Sequence, residues 1–257
     1  MYKNLEELIK VLEVLRSEIG CQWDREQTHS SLRPNMLEEA YEAVDAIDNG
    51  DMKHLKEELG DVLLQVVLHA QIASESKAFD IDDVAKGIKD KLIHRHPHVF
   101  SDVKVNSTQE IVDNWEKLKN KEKSHRTSIM DGISNSQASL MSAQKISKKA
   151  VNVGFEWDCE KTLYDCVYSE IDEFKEATQG DDREHIEEEM GDILFSIVNL
   201  ARWNKIDAEQ ALLKANKKFI KRFKKMEELA TKPLQDYSYQ EFDELWKQAK
   251  ATFLVKR

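Results

Sequence analysis

The sequence predicts an all-α protein made of two tandem helical-bundle domains, and three observations carry that expectation. Glycine occurs 8 times and proline 3 times in 257 residues, too few to supply the turns that many strands would need. Apolar residues recur at helical spacing along most of a chain that is 34% charged. A set of motifs also occurs twice in the same order, and a domain size of roughly 100–150 residues allows two modest cores in this length.

The charge and the cysteines narrow the function classes. A formal net charge of -11 opposes binding to a nucleic acid polymer, so a phosphate ligand would need a local cluster of cations. Cys21, Cys159 and Cys166 are odd in number and lack a CxxC spacing, which points neither to a disulfide framework nor to a zinc site. The segment from Met1 to Leu15 is amphipathic and charged, and no run approaches the ~18 apolar residues of a membrane span. A cytoplasmic protein with no membrane partner is expected.

Each half begins with a short helix and a loop carrying a glycine-tryptophan-aspartate element, Gly20-Cys21-Gln22-Trp23-Asp24 and Gly154-Phe155-Glu156-Trp157-Asp158. Each loop tryptophan is followed by an aspartate that either caps the next segment or lines a site. A helix with a first acidic pair follows, then a tight turn, Asn49-Gly50-Asp51 or Gln179-Gly180-Asp181. The next helix holds a second acidic pair and the most apolar stretch, Val62 to Ala73 or Ile193 to Ala201. Asp192 lies 131 residues after Asp61, and the same offset carries Glu39 onto Glu170, Glu42 onto Glu173 and Glu58 onto Glu189. A basic helix closes the series (Ile81 to His94; Asp207 to Glu228), then a terminal helix with tryptophan and lysine four apart, Trp115 and Lys119 or Trp246 and Lys250. Repeats of this length are whole domains, longer than solenoid units of about 20–50 residues. The expected domains are 1–125 and 139–257, with a linker over 126–138 inside the polar stretch Asn120 to Ser139.

Residues three apart on a helix share a face, so Glu39 and Glu42 can converge on one point, as can Glu58 and Asp61. A tight turn makes the two helices antiparallel neighbours and brings the pairs opposite each other. Carboxylates gathered in a partly dry site either protonate or recruit a cation. An oxygen-only set selects a hard ion: Mg2+ fits, with Mn2+ a substitute, and a nucleoside triphosphate is its usual companion. Di-iron oxidation fits poorly, because bundles of that kind use Glu-x-x-His pairs. Lys91 and Arg95, like Lys218 and Arg222, lie four apart on one side of a helix and suit phosphate oxygens. Trp115 and Trp246 suit either a core or a nucleobase stack. In His94-Arg95-His96-Pro97-His98, Pro97 breaks the helical register, so the tract reads as a helix end rather than a metal site. Cys21 aligns with Phe155, which argues against a catalytic thiol, and no phosphate-binding glycine loop is present.

These motifs resemble, over nearly the whole chain, the MazG nucleoside triphosphate pyrophosphohydrolases. The resemblance rests on Gly20 to Asp24, Glu38-Glu39-Ala40-Tyr41-Glu42, Glu58-Leu59-Gly60-Asp61, Arg95 to Phe100, Val153 to Asp158 and Glu187-Glu188-Glu189-Met190-Gly191-Asp192. It implies a dimerising all-α fold and magnesium held by Glu39, Glu42, Glu58 and Asp61, and by Glu170, Glu173, Glu189 and Asp192, the second set being the catalytic one. It implies nucleotide contacts from Glu188, Lys218, Arg222, Trp246 and Lys250, with Lys91, Arg95, Trp115 and Lys119 kept in the first copy. The second copy departs from the pattern at Ser169, where the first glutamate is expected. The activity implied is cleavage of an NTP or dNTP to the monophosphate and pyrophosphate. The other reading is a nucleotide-binding regulatory homodimer without turnover in one or both copies.

Overall fold

The computed structural model of the protein describes residues 3–122 and 127–253, without the side chains of residues 113, 116, 117, 120 and 121. Residues 123–126, which run up to the first residue of the expected linker, lie outside the described residues, as do Met1, Tyr2 and the last four. Every regular element among the described residues is helical, and the chain divides into two compact units, Met1–Ser124 and His125–Arg257. The first holds α1 (Lys3–Arg16), α2 (Gln22–Glu26), α3 (Arg33–Asn49), α4 (Met52–Glu75), α5 (Ile81–Arg95), α6 (Pro97–Phe100) and α7 (Thr108–Lys121). The second holds α8 (Ser139–Val151), α9 (Glu160–Ala177), α10 (Arg183–Trp203), α11 (Ala208–Leu229) and, after a 3-10 turn at Leu234–Asp236, α12 (Tyr239–Ala251). No helix among the described residues is long and apolar enough to cross a membrane.

Aspartate caps set the helix starts at matching places in the two units. Asp51 accepts from the backbone N–H groups of Lys53 and His54, each at 3.0 Å, and Asp182 accepts from those of Glu184 and His185 at 3.1 and 3.3 Å. The partner of Asp51 is therefore Asp182 rather than Asp181, because the second turn is longer than the first. Asp80 caps α5 and Asp207 caps α11 in the same way. Such caps satisfy orphan N–H groups of the first turn. Two boundaries differ from expectation. Trp23 and Asp24 lie on the one-turn helix α2 rather than in a loop, and α7 runs through Asn120, which the composition assigned to the junction.

In each unit the two acidic helices form a hairpin, α3–α4 or α9–α10, with the leading helix packed on its second member. Leu12 of α1, Leu32, and Val67 and Leu68 of α4 form the buried cluster of the first unit. In the second, Leu163 and Val167 of α9 and Val198 of α10 are buried, and α11 and α12 share a separate cluster around Met226, Leu245 and Ala249. Buried Gln144 of α8 donates to Ile206 O at 2.7 Å and accepts from Ala208 N at 2.9 Å, which fixes α8 to the start of α11. The glycine that follows each leading helix serves a different need in each unit. A Cβ on Gly20 would lie 2.2 Å from carbonyl oxygens of Val14 and Leu15, whereas Gly154 adopts φ +92. Both positions exclude larger residues, one by close approach and one by backbone conformation.

One arginine per unit ties the tryptophan-aspartate element to the hairpin, and the two arginines come from different helices. Arg16 of α1 donates to Glu75 of α4 at 2.6 and 2.8 Å and to the carbonyls of Asp24 and Gln27. Arg202 of α10 donates to both oxygens of Glu156 at 2.6 Å and to Ser147 Oγ at 2.6 Å. At the 131-residue offset Ser147 is the counterpart of Arg16, and Arg202 of Gln71, so one guanidinium position is reached from opposite sides of the packed pair. Hydrogen bonding to Arg202 holds the Glu156 carboxyl below its usual range. The pair thus stabilises the fold above that range and is lost as pH falls through the lowered value. The Arg202 side chain is only 9% exposed, so Arg202→Met should cost about 2 kcal/mol in urea unfolding at pH 7. The difference from wild type should shrink below about pH 4, where the wild-type pair protonates; an equal cost at pH 3 would contradict this origin.

Candidate metal centre in the acidic hairpins

Glu39 of α3 and Glu58 and Asp61 of α4 bring carboxylate oxygens within 4.8 Å of one another in the first unit. Glu170 and Glu173 of α9 and Glu189 of α10 do so in the second. Three of the four carboxylates expected in each copy therefore meet, but not the same three. Glu42 is exposed and outside the first trio, and Asp192 is exposed and outside the second. Glu58 is buried and the Glu189 side chain is 12% exposed, so the third position is the enclosed one in both.

The electrostatics follow from this crowding. Loss of solvent, then the charges of Asp61, Glu42, Glu38 and Glu58, push the Glu39 carboxyl up. Glu170 is pushed up by loss of solvent, then by Glu173, Asp192 and Glu189, against a bond from the Cys166 thiol at 3.7 Å. Like charges held together favour the protonated form unless a cation intervenes. The donors are all oxygen and come from two helices of one rigid hairpin. They fit a hard divalent cation that keeps part of its coordination for water or a phosphate oxygen.

Sequence reasoning missed two side chains that touch these carboxylates. His54 Nε2 lies 2.7 Å from Glu58 Oε1 and His185 Nδ1 lies 3.5 Å from Glu189 Oε1, each one turn earlier on the same helix. The signal was present, since His185 follows His54 by the same 131 residues as the carboxylates. Ser169, the departure from the family pattern, donates its hydroxyl to Glu173 Oε1 at 2.8 Å. A hydroxyl there orients a neighbouring carboxylate, where a glutamate would add a further negative charge.

The basic and aromatic candidates fall into one group per unit. In the first, Arg95 of α5 lies 5.4 Å and Lys119 of α7 4.5 Å from the Trp115 ring centroid, Arg95 is paired with Glu122, and Lys91 is exposed. In the second, Lys218 and Lys250 are exposed and the Trp246 ring lies 5.2 Å from that of Phe219, on the Met226–Leu245–Ala249 cluster. Arg222 is partly buried, and its Nε has no hydrogen-bond partner among the described residues. Glu188 is exposed on α10, next to Glu189. A cavity of about 330 Å³ opens beside the second unit's tryptophan element, lined by Phe155, Glu156, Trp157, Asp158 and Thr162. No hydrogen bond or ion pair among the described residues joins Lys218, Arg222 or Lys250 to the second unit's carboxylates.

A carboxyl raised by folding contributes stability that is present below its ordinary range and lost as pH rises through the raised value. Glu39→Gln and Glu170→Gln should therefore each raise the melting temperature of the metal-free protein by about 1–3 °C at pH 8, with the gain vanishing near pH 4. Added divalent cation should stabilise wild type more than either variant in calorimetry. A lower melting temperature of the metal-free variants would contradict the repulsion.

Comparison with known proteins places this geometry. The MazG nucleotide pyrophosphohydrolase domain matches residues 27–100 and 159–226, the segments that hold the two hairpins and the basic helices. A Thermotoga maritima protein named nucleoside triphosphate pyrophosphohydrolase/pyrophosphatase MazG is 48% identical over 249 residues, 95% of each chain. The nucleoside triphosphate pyrophosphohydrolase of Escherichia coli is 44% identical over 255 residues, 96% of this chain and 97% of that one. The protein of that name from Mycobacterium tuberculosis is 36% identical over 191 residues, 67% of this chain and 58% of that one. With its domain matched twice and such identity over nearly its full length, the chain belongs to the MazG nucleotide pyrophosphohydrolase family.

Proposed function

We propose that the protein hydrolyses nucleoside triphosphates between the α- and β-phosphates, giving the nucleoside monophosphate and pyrophosphate, with Mg2+ at the acidic hairpins. The observation that carries this reading is the twice-assembled trio of oxygen ligands in a chain whose full-length relatives bear that activity in their names. The residues of the second unit have the chemistry the reaction needs. Lys218 and Arg222 provide positive charge for phosphate oxygens, and the Arg222 Nε is a donor without a partner among the described residues. Trp246 of α12 offers an aromatic face beside Phe219 of that basic helix, with Lys250 one turn further along α12. Glu170, Glu173 and Glu189 hold the cation, with Asp192 beside them as the fourth acidic group and Glu188 a nucleotide contact. When bound, a hard divalent cation neutralises phosphate charge and acidifies water. A carboxylate of the cluster accepts the proton of the water attacking the α-phosphorus, while Lys218 and Arg222 offset charge on the departing pyrophosphate.

The chain should act as a homodimer. It exposes 19103 Å², whereas two compact units of half its mass would expose about 14,000 Å² together. Part of the excess is apolar and lies on the hairpins: Leu37, Tyr41, Leu59 and Leu63 in the first unit, and Tyr168, Leu194 and Ile197 in the second, are all at least 40% exposed. Apolar faces of that extent are normally covered. Sedimentation equilibrium at micromolar concentration should give a dimer, and a monomer alone would contradict this assembly.

The activity is tested by pyrophosphate release from a panel of NTPs and dNTPs with Mg2+. Glu173→Gln removes a member of the second trio and should lower turnover about 100-fold or more, whereas Glu42→Gln, outside the first trio, should leave it within about threefold. Orthophosphate as product would overturn the cleavage position, and wild-type nucleotide binding without turnover would overturn the reading in favour of a nucleotide-binding regulator.

A further inference from the structure

Arg95 and Arg222 hold the same place in the repeat, yet their surroundings differ in charge. Both Glu122 carboxylate oxygens accept from Arg95, from Nε at 3.1 and 3.2 Å and from Nη2 at 2.5 Å. The Arg95 side chain is 12% exposed and its guanidinium lies over Trp115, so the pair is partly shielded from water. His94 Nε2 lies 3.9 Å from the same carboxylate, and hydrogen bonding to Arg95, then the charges of Arg95, His94 and Lys91, hold the Glu122 carboxyl below its usual range. Glu122 follows Trp115 by seven residues, and the residue seven after Trp246 is Phe253. The second copy therefore has a phenylalanine at the sequence position where the first has an anion. Among the described residues its Arg222 Nε is buried without a hydrogen-bond partner, and Phe253 carries Lys221 over its ring at 4.8 Å.

We propose that Glu122 is a built-in competitor for phosphate: its two-oxygen contact occupies the Arg95 guanidinium as a phosphate group would, so the first copy binds a triphosphate more weakly than the second, where Phe253 presents no anion to Arg222. Carboxylate and phosphate engage the arginine fork with the same two-point geometry, which makes the two mutually exclusive at one guanidinium. The local cations Lys91, His94 and Lys119 do not relieve the competition, because the anion they attract is already part of the chain. This inference rests on the reading of Lys91 and Arg95, and of Lys218 and Arg222, as triphosphate-binding pairs.

The test uses the full chain and calorimetry with Mg2+ and the α,β-methylene analogue of ATP, which cannot be cleaved at the proposed bond. Lys218→Ala/Arg222→Ala should remove the tighter binding event and leave the weak one of the first copy. Adding Glu122→Gln, an isosteric change at an exposed helix end, should tighten the remaining binding about tenfold, and adding Arg95→Ala should abolish that gain. In the reciprocal variant, Phe253→Glu should raise KM for hydrolysis about tenfold while kcat stays within about twofold. A chain with Glu122→Gln that binds no tighter than its parent, a gain that survives Arg95→Ala, or a KM unmoved by Phe253→Glu would each overturn the competitor role. If Lys218→Ala/Arg222→Ala binds the analogue as wild type does, the phosphate-binding reading falls and the competitor with it. If that background loses binding and Glu122→Gln restores none, the competitor alone falls.

Discussion

Repulsion among carboxylates that helix packing will not let separate is the constraint on which the rest of the structure depends. In each hairpin the acidic side chains are brought together by backbone geometry: three-residue spacing on one helix, an antiparallel partner, and a short connection started by an aspartate cap. Burial of Val67 and Leu68 against Leu12 and Leu32 in the first unit, and of Leu163 and Val198 in the second, fixes the hairpin helices in their cores. The cost appears in Glu39 and Glu170, whose carboxyls are pushed toward the protonated form. A bound cation converts that cost into affinity, because the ligands are gathered before it arrives.

The two copies solve one packing problem with different residues, and the differences fall where function bears on them. The guanidinium beside the tryptophan element comes from α1 in one unit and α10 in the other, yet it anchors the same segment to the same hairpin. The acidic trio closes through Asp61 in the first unit and through Glu173, held by Ser169, in the second. The basic helices diverge most in charge, with Arg95 neutralised from within the chain and Arg222 left with an unsatisfied donor. A duplicated domain under such divergence retains its scaffold while one copy specialises, because the core tolerates substitutions that leave volume unchanged.

Much of this was legible in the sequence, for reasons of period and offset. Scarce glycine and proline with helical apolar spacing specified the class, and the 131-residue offset aligned eight carboxylates before any coordinate was known. The same offset carries His54 onto His185, but only the fold shows that each histidine contacts the glutamate one turn further along its helix. The arginine anchors were not legible, since Arg16 and Arg202 occupy different positions in the repeat and only three-dimensional packing shows that they fill one place. Nor could spacing tell which three carboxylates meet. That depends on side-chain directions across the hairpin, which turn Glu42 outward in one copy and Asp192 outward in the other. The helical setting of Trp23 and Asp24 escaped for a simpler reason, as a one-turn helix has too few residues to show a period.

The account stands most directly on where a divalent cation binds. Crystals grown with Mn2+, examined by anomalous scattering at the manganese edge, should show one peak among Glu170, Glu173 and Glu189 and another among Glu39, Glu58 and Asp61. Peaks confined to other surface carboxylates, with both hairpins empty at saturating Mn2+, would contradict the claim that the crowded acidic hairpins exist to hold metal.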